Sequence, residues 1–578
     1  MENTNTSHMK YLDILSKSVL VRPGSPAVYK LTPKKEKNGT LTKMSLGEKN
    51  VNKTNKTILL VGETGAGKST LINALVNYTM GVKWEDDVWF QIVEEEEKRQ
   101  SESQTSDVIV YQIFGFEDKP LPYSLTIIDT PGYGDTGGID QDDKISQRLL
   151  DLFRSDGGVH EINAVGLLLK ASDNRLSDRL RYIFDSVVSL FGKNLEKNIV
   201  ALITHSNGVT PENALKALED ANIKCAKDEE GEIVHFMFDN LQPKEKTKKN
   251  EFSLNNAWRT TEEGMRQFTE FLKETGPQKL GTTMEVLNER IRLMACIQNL
   301  QERVQYTELK HKEIRQTQEA LKKHGEEMKN NKKFTVEVDE VYKEKETVSG
   351  GRRWWALWMN YEGAVCCTVC EENCHYPGCT LAWYAEHCEV MKGGRCTSCK
   401  GKCAATAHVK EEWIYVNKTR KVQKTLEDVK KKYEENKAES ENKSSLLEKL
   451  EKEVEELQKE KDQWLEESFN HVVRLEEIAL NVDSLSTQAH LDFLIEKMKD
   501  KGETEKVQKL EEMKRRVGER SQGALRYRFG QLKTAAVKGV KNMWPFRKEG
   551  DTDGTKLECN HCLSFKCLNP GNSALCCM

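Results

Sequence analysis

The stretch Gly62-Glu63-Thr64-Gly65-Ala66-Gly67-Lys68-Ser69-Thr70 gathers residue types that handle phosphate. Its glycines let successive backbone N–H groups curl around an oxyanion. The Lys68 ammonium can reach the terminal phosphates, and the Ser69 hydroxyl is a hard oxygen ligand for Mg²⁺. A second stretch, Asp129-Thr130-Pro131-Gly132, supplies a carboxylate that can hold the same Mg²⁺ through water and a Gly132 N–H that can sense the outermost phosphate. Thr105, just before an alternating stretch, is the expected further metal oxygen, with Thr64, Thr70 and Ser103 as alternatives. The implied chemistry is the grip of a nucleoside triphosphate with Mg²⁺. No general base is identifiable, and Tyr133 cannot do the work of a water-orienting carboxamide.

A second concentration runs from Cys366 to Cys403, which holds nine of the sixteen cysteines. Cys367-x2-Cys370-x3-Cys374 and Cys396-x2-Cys399-x3-Cys403 repeat one spacing, with His375, Cys379, His387 and Cys388 between them and His408 just beyond. Two Cys-x2-Cys pairs about twenty-five residues apart are spaced to put thiolates on tetrahedral Zn²⁺, and two ions are expected rather than three. Such a closed site folds its module and performs no reaction. Disulfides, iron–sulfur ligation and free thiols are the alternatives.

Both groups need a frame to position them. The phosphate stretch follows a short apolar strand, Thr57–Val61, and opens a helical pattern through Leu71, Ile72 and Leu75. Asp129 follows the strand Leu125–Ile128. Further on, INAVGLLLK, NIVALITH and IVHFMFDN read as strands, alternating with amphipathic helices. That alternation predicts an α/β domain with a mainly parallel sheet, helices on both faces and the ligand at the C-terminal strand ends.

GETGAGKST, DTPGYGD, THSNG and FMFDN together resemble the septin and immunity-associated (GIMAP) branch of P-loop GTPases, a pattern shared by chloroplast import-receptor GTPases. The resemblance covers about Asn55 to Thr275. It implies a GTP-binding G domain with slow hydrolysis that depends on pairing two G domains through their nucleotide faces. It also implies that the loop Thr204-His205-Ser206-Asn207 reads the base, helped by Asp239 and Asn240. His205 is either a ring stacked on the base or a plain loop residue. This sequence departs from the family at Asn207, where an aspartate is usual. A carboxamide accepts from only one of guanine's two donors unaided, so guanine selectivity is expected to fall by about 1–3 kcal/mol. GTP remains the expected nucleotide, ahead of xanthosine or adenine nucleotides.

The remaining sequence reads as helical. Leu293, Ile297, Leu300 and Val304, then Ile314 and Leu321, form one apolar seam. A second seam runs Val422, Leu426, Val429, Tyr433, Leu447, Leu450, Val454, Leu457, Trp464, Leu475, Ile478 and Val482. These predict coiled-coil arms, the longer reaching about 90 Å at ~1.5 Å per residue. An antiparallel hairpin carrying the metal knot at its tip is the natural arrangement. The domain plan is a flexible extension (1–54), a G domain (55–280), a helical arm (284–345), the Cys/His module (350–410), a coiled-coil arm (411–485), a helical region with a basic segment (486–548) and a flexible Cys-containing tail (549–578).

At 578 residues, 37% hydrophobic and 31% charged, the composition suits globular domains joined by solvated helices. A net charge of -4 gives no reason to expect nucleic acid. Met513 to Lys548 carries eleven Lys/Arg against one Glu, with interleaved apolar residues. It suits an anionic membrane surface, an acidic partner or a solvated helix. Lacking an apolar run of membrane length or a secretory leader, the chain is expected in the cytoplasm, with peripheral membrane contact through the basic segment. The leading expectation is a regulatory GTPase that forms homodimers or oligomers through its G domain and coils and engages a protein partner. The alternative is a non-enzymatic coiled-coil scaffold with GTP as a structural ligand.

Overall fold

The computed structural model describes residues 10–38, 41–93, 108–117, 119–130, 148–155, 157–331, 335–348, 363–379, 384–425, 428, 446–481 and 485–515. Eight strands build the central sheet: β1 (Lys34–Asn38), β2 (Leu41–Leu46), β3 (Asn55–Gly62), β4 (Ile109–Ile113), β5 (Ser124–Asp129), β6 (Ala164–Lys170), β7 (Ile199–Thr204) and β8 (His235–Met237). Their order is β8-β7-β6-β3-β5-β4-β2-β1. The run from β8 to β5 is parallel, and β4 lies antiparallel to β5.

The central strands are apolar on both sides because both faces are covered. Leu59 and Val61 of β3 join Val165, Leu167 and Ala201 in one core, while Ile58 and Leu60 join Leu125, Ile127 and Val200 in the other. Helices α1 (Lys68–Met80), α2 (Asp178–Val188), α3 (Glu212–Asp220) and α4 (Glu251–Glu274) follow in the expected alternation. The Ser177 hydroxyl caps α2 by accepting from the Leu180 N–H at 3.0 Å.

The extension expected over 1–54 is corrected for its described part. β1 and β2 widen the central sheet, and Val19–Arg22 pairs with Ala27–Lys30, which runs parallel to Val88–Gln91. An uncovered sheet edge exposes unpaired backbone groups, and these strands satisfy them. Tyr11, Val28 and Leu31 are buried in the same core as β3, and the Tyr11 hydroxyl donates to Asp86 at 2.9 Å.

Beyond α4, helix α5 (Gly281–Asn330) and helix α6 (Leu446–Ile478) pack against each other within one chain. Glu285 meets Arg474, Glu289 meets His471 and Cys296 meets Ser468, so the helices run antiparallel. Leu293, Ile297, Leu300, Trp464, Leu475 and Ile478 are buried at this seam, as the periodicity predicts. Leu491, Leu494 and Met498 of α7 (Leu485–Lys501) and Leu510 and Met513 join the same core, so a small bundle forms instead of a lone helix pair.

Both arm boundaries are corrected. Val336–Thr347 (β9) and Trp413–Lys424 (β13) are strands, paired antiparallel over their whole length. Val422 therefore belongs to a strand; Leu426, Val429 and Tyr433 lie outside the described residues. The described α6 is about 50 Å long at ~1.5 Å per residue, shorter than the 90 Å arm read from the seam. The pairing is favoured by alternation and by opposite charges across the ribbon, including Glu337–Lys421 at 2.8 Å and Glu340–Arg420 at 2.8 Å.

The ribbon leads to the Cys/His module, whose strands β10 (Gly363–Cys367), β11 (Glu372–Cys379) and β12 (His408–Glu411) form a small sheet. The module does not sit at a distal tip. It lies along the first half of α5, where Ala295 enters its core, Asn299 donates to Ser398, and Arg303 grips Glu372 at 2.6 Å. No described helix is long and apolar enough to cross a membrane. The basic segment beyond Arg515, the tail, and the tryptophans of 352–362 lie outside the described residues.

Candidate nucleotide and metal sites

β3 ends at Gly62, the chain turns, and α1 begins at Lys68 with Gly67 as its N-cap. Gly65 and Gly67 have φ of 81° and 93°, where a side chain would be strained, and a Cβ at Gly65 would project into open space. Glycine thus keeps the cradle narrow and its N–H groups approachable, and the loop opens onto a helix N-terminus. Lys68 is buried and its Nζ donates to the Gly62 and Glu63 carbonyls at 2.7 and 3.2 Å. The ammonium is thereby held over the loop. Glu63 accepts from the Ser177 hydroxyl at 3.0 Å, tying the loop to the start of α2. Thr64 Oγ1 is buried and has no hydrogen-bond partner among the described residues.

Asp129 stands at the end of β5, next to β3 and in register with Leu60, and is fully buried. Thr130 donates to the Leu60 carbonyl at 2.8 Å and holds the two strand ends together. Ser69 and Thr70, the first residues after Lys68 in α1, are partly buried. The fit of this donor set to a nucleoside phosphate with Mg²⁺ rests on the glycine cradle, the tethered lysine and the carboxylate at the neighbouring strand end. Thr105 and Gly132 lie outside the described residues.

The expected base-reading loop follows β7. Thr204 is buried and its hydroxyl donates to the Ala66 carbonyl at 2.8 Å, so this loop is pinned to the phosphate loop. His205 is exposed at φ 53°, with Nδ1 3.2 Å from Thr204 Oγ1. Asn207 is exposed, and its Oδ1 accepts from the Val209 N–H at 3.1 Å. One lone pair of the carboxamide is thus committed to the loop itself. Burial raises the Asp239 pKa against the opposing pull of His205 and Lys244. Asn240 Oδ1 accepts from Thr261 at 3.4 Å. These residues cluster on the sheet edge that carries the phosphate loop.

The module brings most of the sequence candidates together. Cys367, Cys370, Cys399 and Cys403 have sulfurs within 4.8 Å of one another, and Cys374, Cys396, Cys399 and His408 form a second such set. His375, Cys388 and Glu389 form a third. Two knuckles show the N–H···S pattern that stabilises thiolates: Cys370 N–H points to Cys367 Sγ, and the Ser398 and Cys399 N–H groups point to Cys396 Sγ, all at 3.3 Å. No disulfide joins the described cysteines, and Cys370 and Cys403 sulfurs stand 3.6 Å apart, beyond a disulfide bond of about 2.05 Å.

His387 is corrected. Its side chain is 64% exposed, it pairs with Glu386 across solvent, and it joins none of the three sets. The reason is local: a 3-10 turn over Ala385–His387 points it outward while Cys388 turns in. The Cys379 side chain lies outside the described residues. Sequence reading missed Glu389, whose only signal was its place directly after Cys388. Burial would raise this carboxyl, but His375 and Arg154 outweigh burial and hold it down to about 2. It also missed Arg154, which reaches from the G domain to Glu389 and to Asn288 of α5.

A glycine cradle opening a helix, a lysine folded over it and an aspartate at the adjacent strand end define a P-loop nucleotide-binding domain. Residues 52–148 match the Septin family model, and the domain is septin-like. Septin-5 of Homo sapiens is 29% identical over 181 residues, covering 28% of this chain and 43% of that relative. Septin-5 of Mus musculus is 28% identical over 182 residues. The chain spans less than half the length of the curated relatives it matches. Among solved structures, Toc33 from Arabidopsis thaliana in complex with Mg2+ and GMPPNP is 18% identical, covering 39% of this chain and 88% of that one with a TM-score of 0.27.

Proposed function

We propose that this chain is a GTP-binding regulatory protein that hydrolyses GTP slowly, with Mg²⁺ held by Ser69 and Asp129 and completed by Thr105. The observation that carries the reading is the P loop with Lys68 folded over its own carbonyls, beside the buried Asp129. Lys68 would exchange its contacts with Gly62 and Glu63 for phosphate oxygens. Bound Mg²⁺ neutralises charge on the phosphates; the protein's own part is to bind, orient and shield them. Asn207, His205, Asp239 and Asn240 would face the base.

Hydrolysis that depends on pairing of two G domains is part of the proposal, supported by the resemblance and by the want of an identifiable base in the sequence. The helical bundle would carry nucleotide state to a protein partner or to further copies of the chain. The Cys/His module would hold Zn²⁺ as a structural centre, supported by its buried sulfur sets and N–H···S knuckles. A cytoplasmic setting with peripheral membrane contact through the basic segment completes the proposal.

Single-turnover hydrolysis across a protein-concentration series tests it. A rate per molecule that climbs with concentration supports the paired GTPase. Binding without turnover at any concentration leaves GTP as a structural ligand of a scaffold, and no binding of labelled GTP with Mg²⁺ refutes the reading.

A further inference from the structure

We propose that Cys399 is a bridging thiolate that joins two Zn²⁺ ions into a single binuclear centre, with Cys367, Cys370 and Cys403 completing one ion and Cys374, Cys396 and His408 the other. The proposal rests on the reading that the module holds zinc, and it deepens that reading from separate sites to one shared cluster.

The argument begins with ligand supply. Each structural Zn²⁺ takes four ligands in a tetrahedron. The two four-membered sets share one residue, Cys399, and every ligand atom within each set lies within 4.8 Å of the others. Seven side chains therefore fill eight positions only if one sulfur serves both ions. Thiolate sulfur can do this because it has more than one lone pair, whereas an imidazole nitrogen cannot.

The surroundings fit. His408 Nδ1 lies 2.9 Å from the Ala404 carbonyl, which fixes the proton on Nδ1 and leaves Nε2 with its lone pair. That Nε2 is buried and has no hydrogen-bond partner among the described residues. A buried imidazole nitrogen with a free lone pair, set among cysteine sulfurs, has the chemistry of a zinc ligand. Six thiolates against two divalent cations leave the cluster anionic, so it needs donors. Beyond the two knuckles, the Gly401 N–H points to Cys370 Sγ at 3.3 Å and the Cys403 N–H to Cys399 Sγ at 3.2 Å.

The bridge also has a structural purpose. Cys367 and Cys374 come from β10 and β11 and Cys370 from the turn between them, while Cys396 ends the short strand Arg395–Cys396 and Cys399 and Cys403 follow it before β12. One sulfur common to both ions would lock these segments together. Residue 398, beside it, is clipped to α5 through Asn299 and through Arg303, which donates to the Ser398 carbonyl at 3.0 Å.

The test uses the full chain loaded with ¹¹³Cd²⁺ in place of zinc, with metal counted by mass spectrometry. The expected result is two ions per chain and two ¹¹³Cd resonances that split each other through the shared sulfur. A single ion, or two ions without mutual splitting, overturns the bridge while leaving a metal module standing. No bound metal overturns the zinc reading itself. In chelator competition, Cys399→Ser is expected to loosen both ions and Cys403→Ser only one. Loss of a single ion from Cys399→Ser also overturns the bridge, and the wild-type splitting decides the matter if that variant fails to fold.

Discussion

Replacing Asn207 by aspartate is the most informative change to the base-reading loop. The Asn207 Oδ1 already accepts from the Val209 N–H at 3.1 Å, which leaves one acceptor lone pair and an NH₂ that opposes guanine's two donors. Asn207→Asp keeps the Val209 bond with one oxygen and adds a second, charged acceptor. A hydrogen bond to a charged group contributes about 1.5–3 kcal/mol, so discrimination between GTP and inosine triphosphate, which lacks the exocyclic amine, should rise roughly 10- to 150-fold. Because Asn207 is exposed and its hydrogen bond to Val209 stays within its own turn, the fold should tolerate the change. Competition of both nucleotides against a labelled GTP analogue, at fixed Mg²⁺, measures the ratio for each protein. An unchanged ratio in the aspartate variant would refute the placing of this side chain against the base.

Lys68→Ala should reduce GTP affinity about 10- to 150-fold, the loss of a charged contact to phosphate, while circular dichroism stays unchanged. Glu302 is pushed up to about 7 by burial, against help from Asn373 and Lys343. A carboxyl raised in the folded state costs stability as pH climbs from its ordinary value through 7, so Glu302→Gln should gain about 1–3 kcal/mol at pH 8 and little at pH 4 in urea melts. Glu289 behaves oppositely. Burial would raise it, but His471 at 2.8 Å and Arg292 at 2.7 Å bring it to about 2. Its stabilisation is present above pH 4.5 and fades as pH falls toward 2, and Glu289→Gln should cost about 2–3 kcal/mol at neutral pH, read as faster hydrogen exchange in α6.

What the sequence made legible follows from how tightly each feature is bound to chemistry. The phosphate loop admits few residue types because its backbone must pass close to an anion, so Gly65, Gly67 and Lys68 could be named from their spacing. The sheet was equally plain, since strands covered on both faces are apolar throughout. The ribbon was not. Val336–Thr347 carries four Glu, one Asp and two Lys, and charge-rich sequence of that kind reads as a solvated helix unless its partner, Trp413–Lys424, is known. The N-terminal strands failed for the same reason: their burial is decided by a sheet edge far away in sequence. In the module, spacing found the thiolates but could not say which way His387 turned, or that a lone Glu389 would be drawn in by Arg154.

The ribbon has a consequence for how the bundle closes. Roughly a hundred residues separate the end of α5 from the start of α6, and closing so long a span costs chain entropy that grows with the logarithm of its length. Pairing Val336 with Lys424 pinches that span to roughly a quarter, which lowers the closure cost by about 1 kcal/mol. The zipper thus acts as a clasp: once it is fastened, the two helices meet as near neighbours along the chain, and whatever folds beyond the clasp does so in a loop of its own.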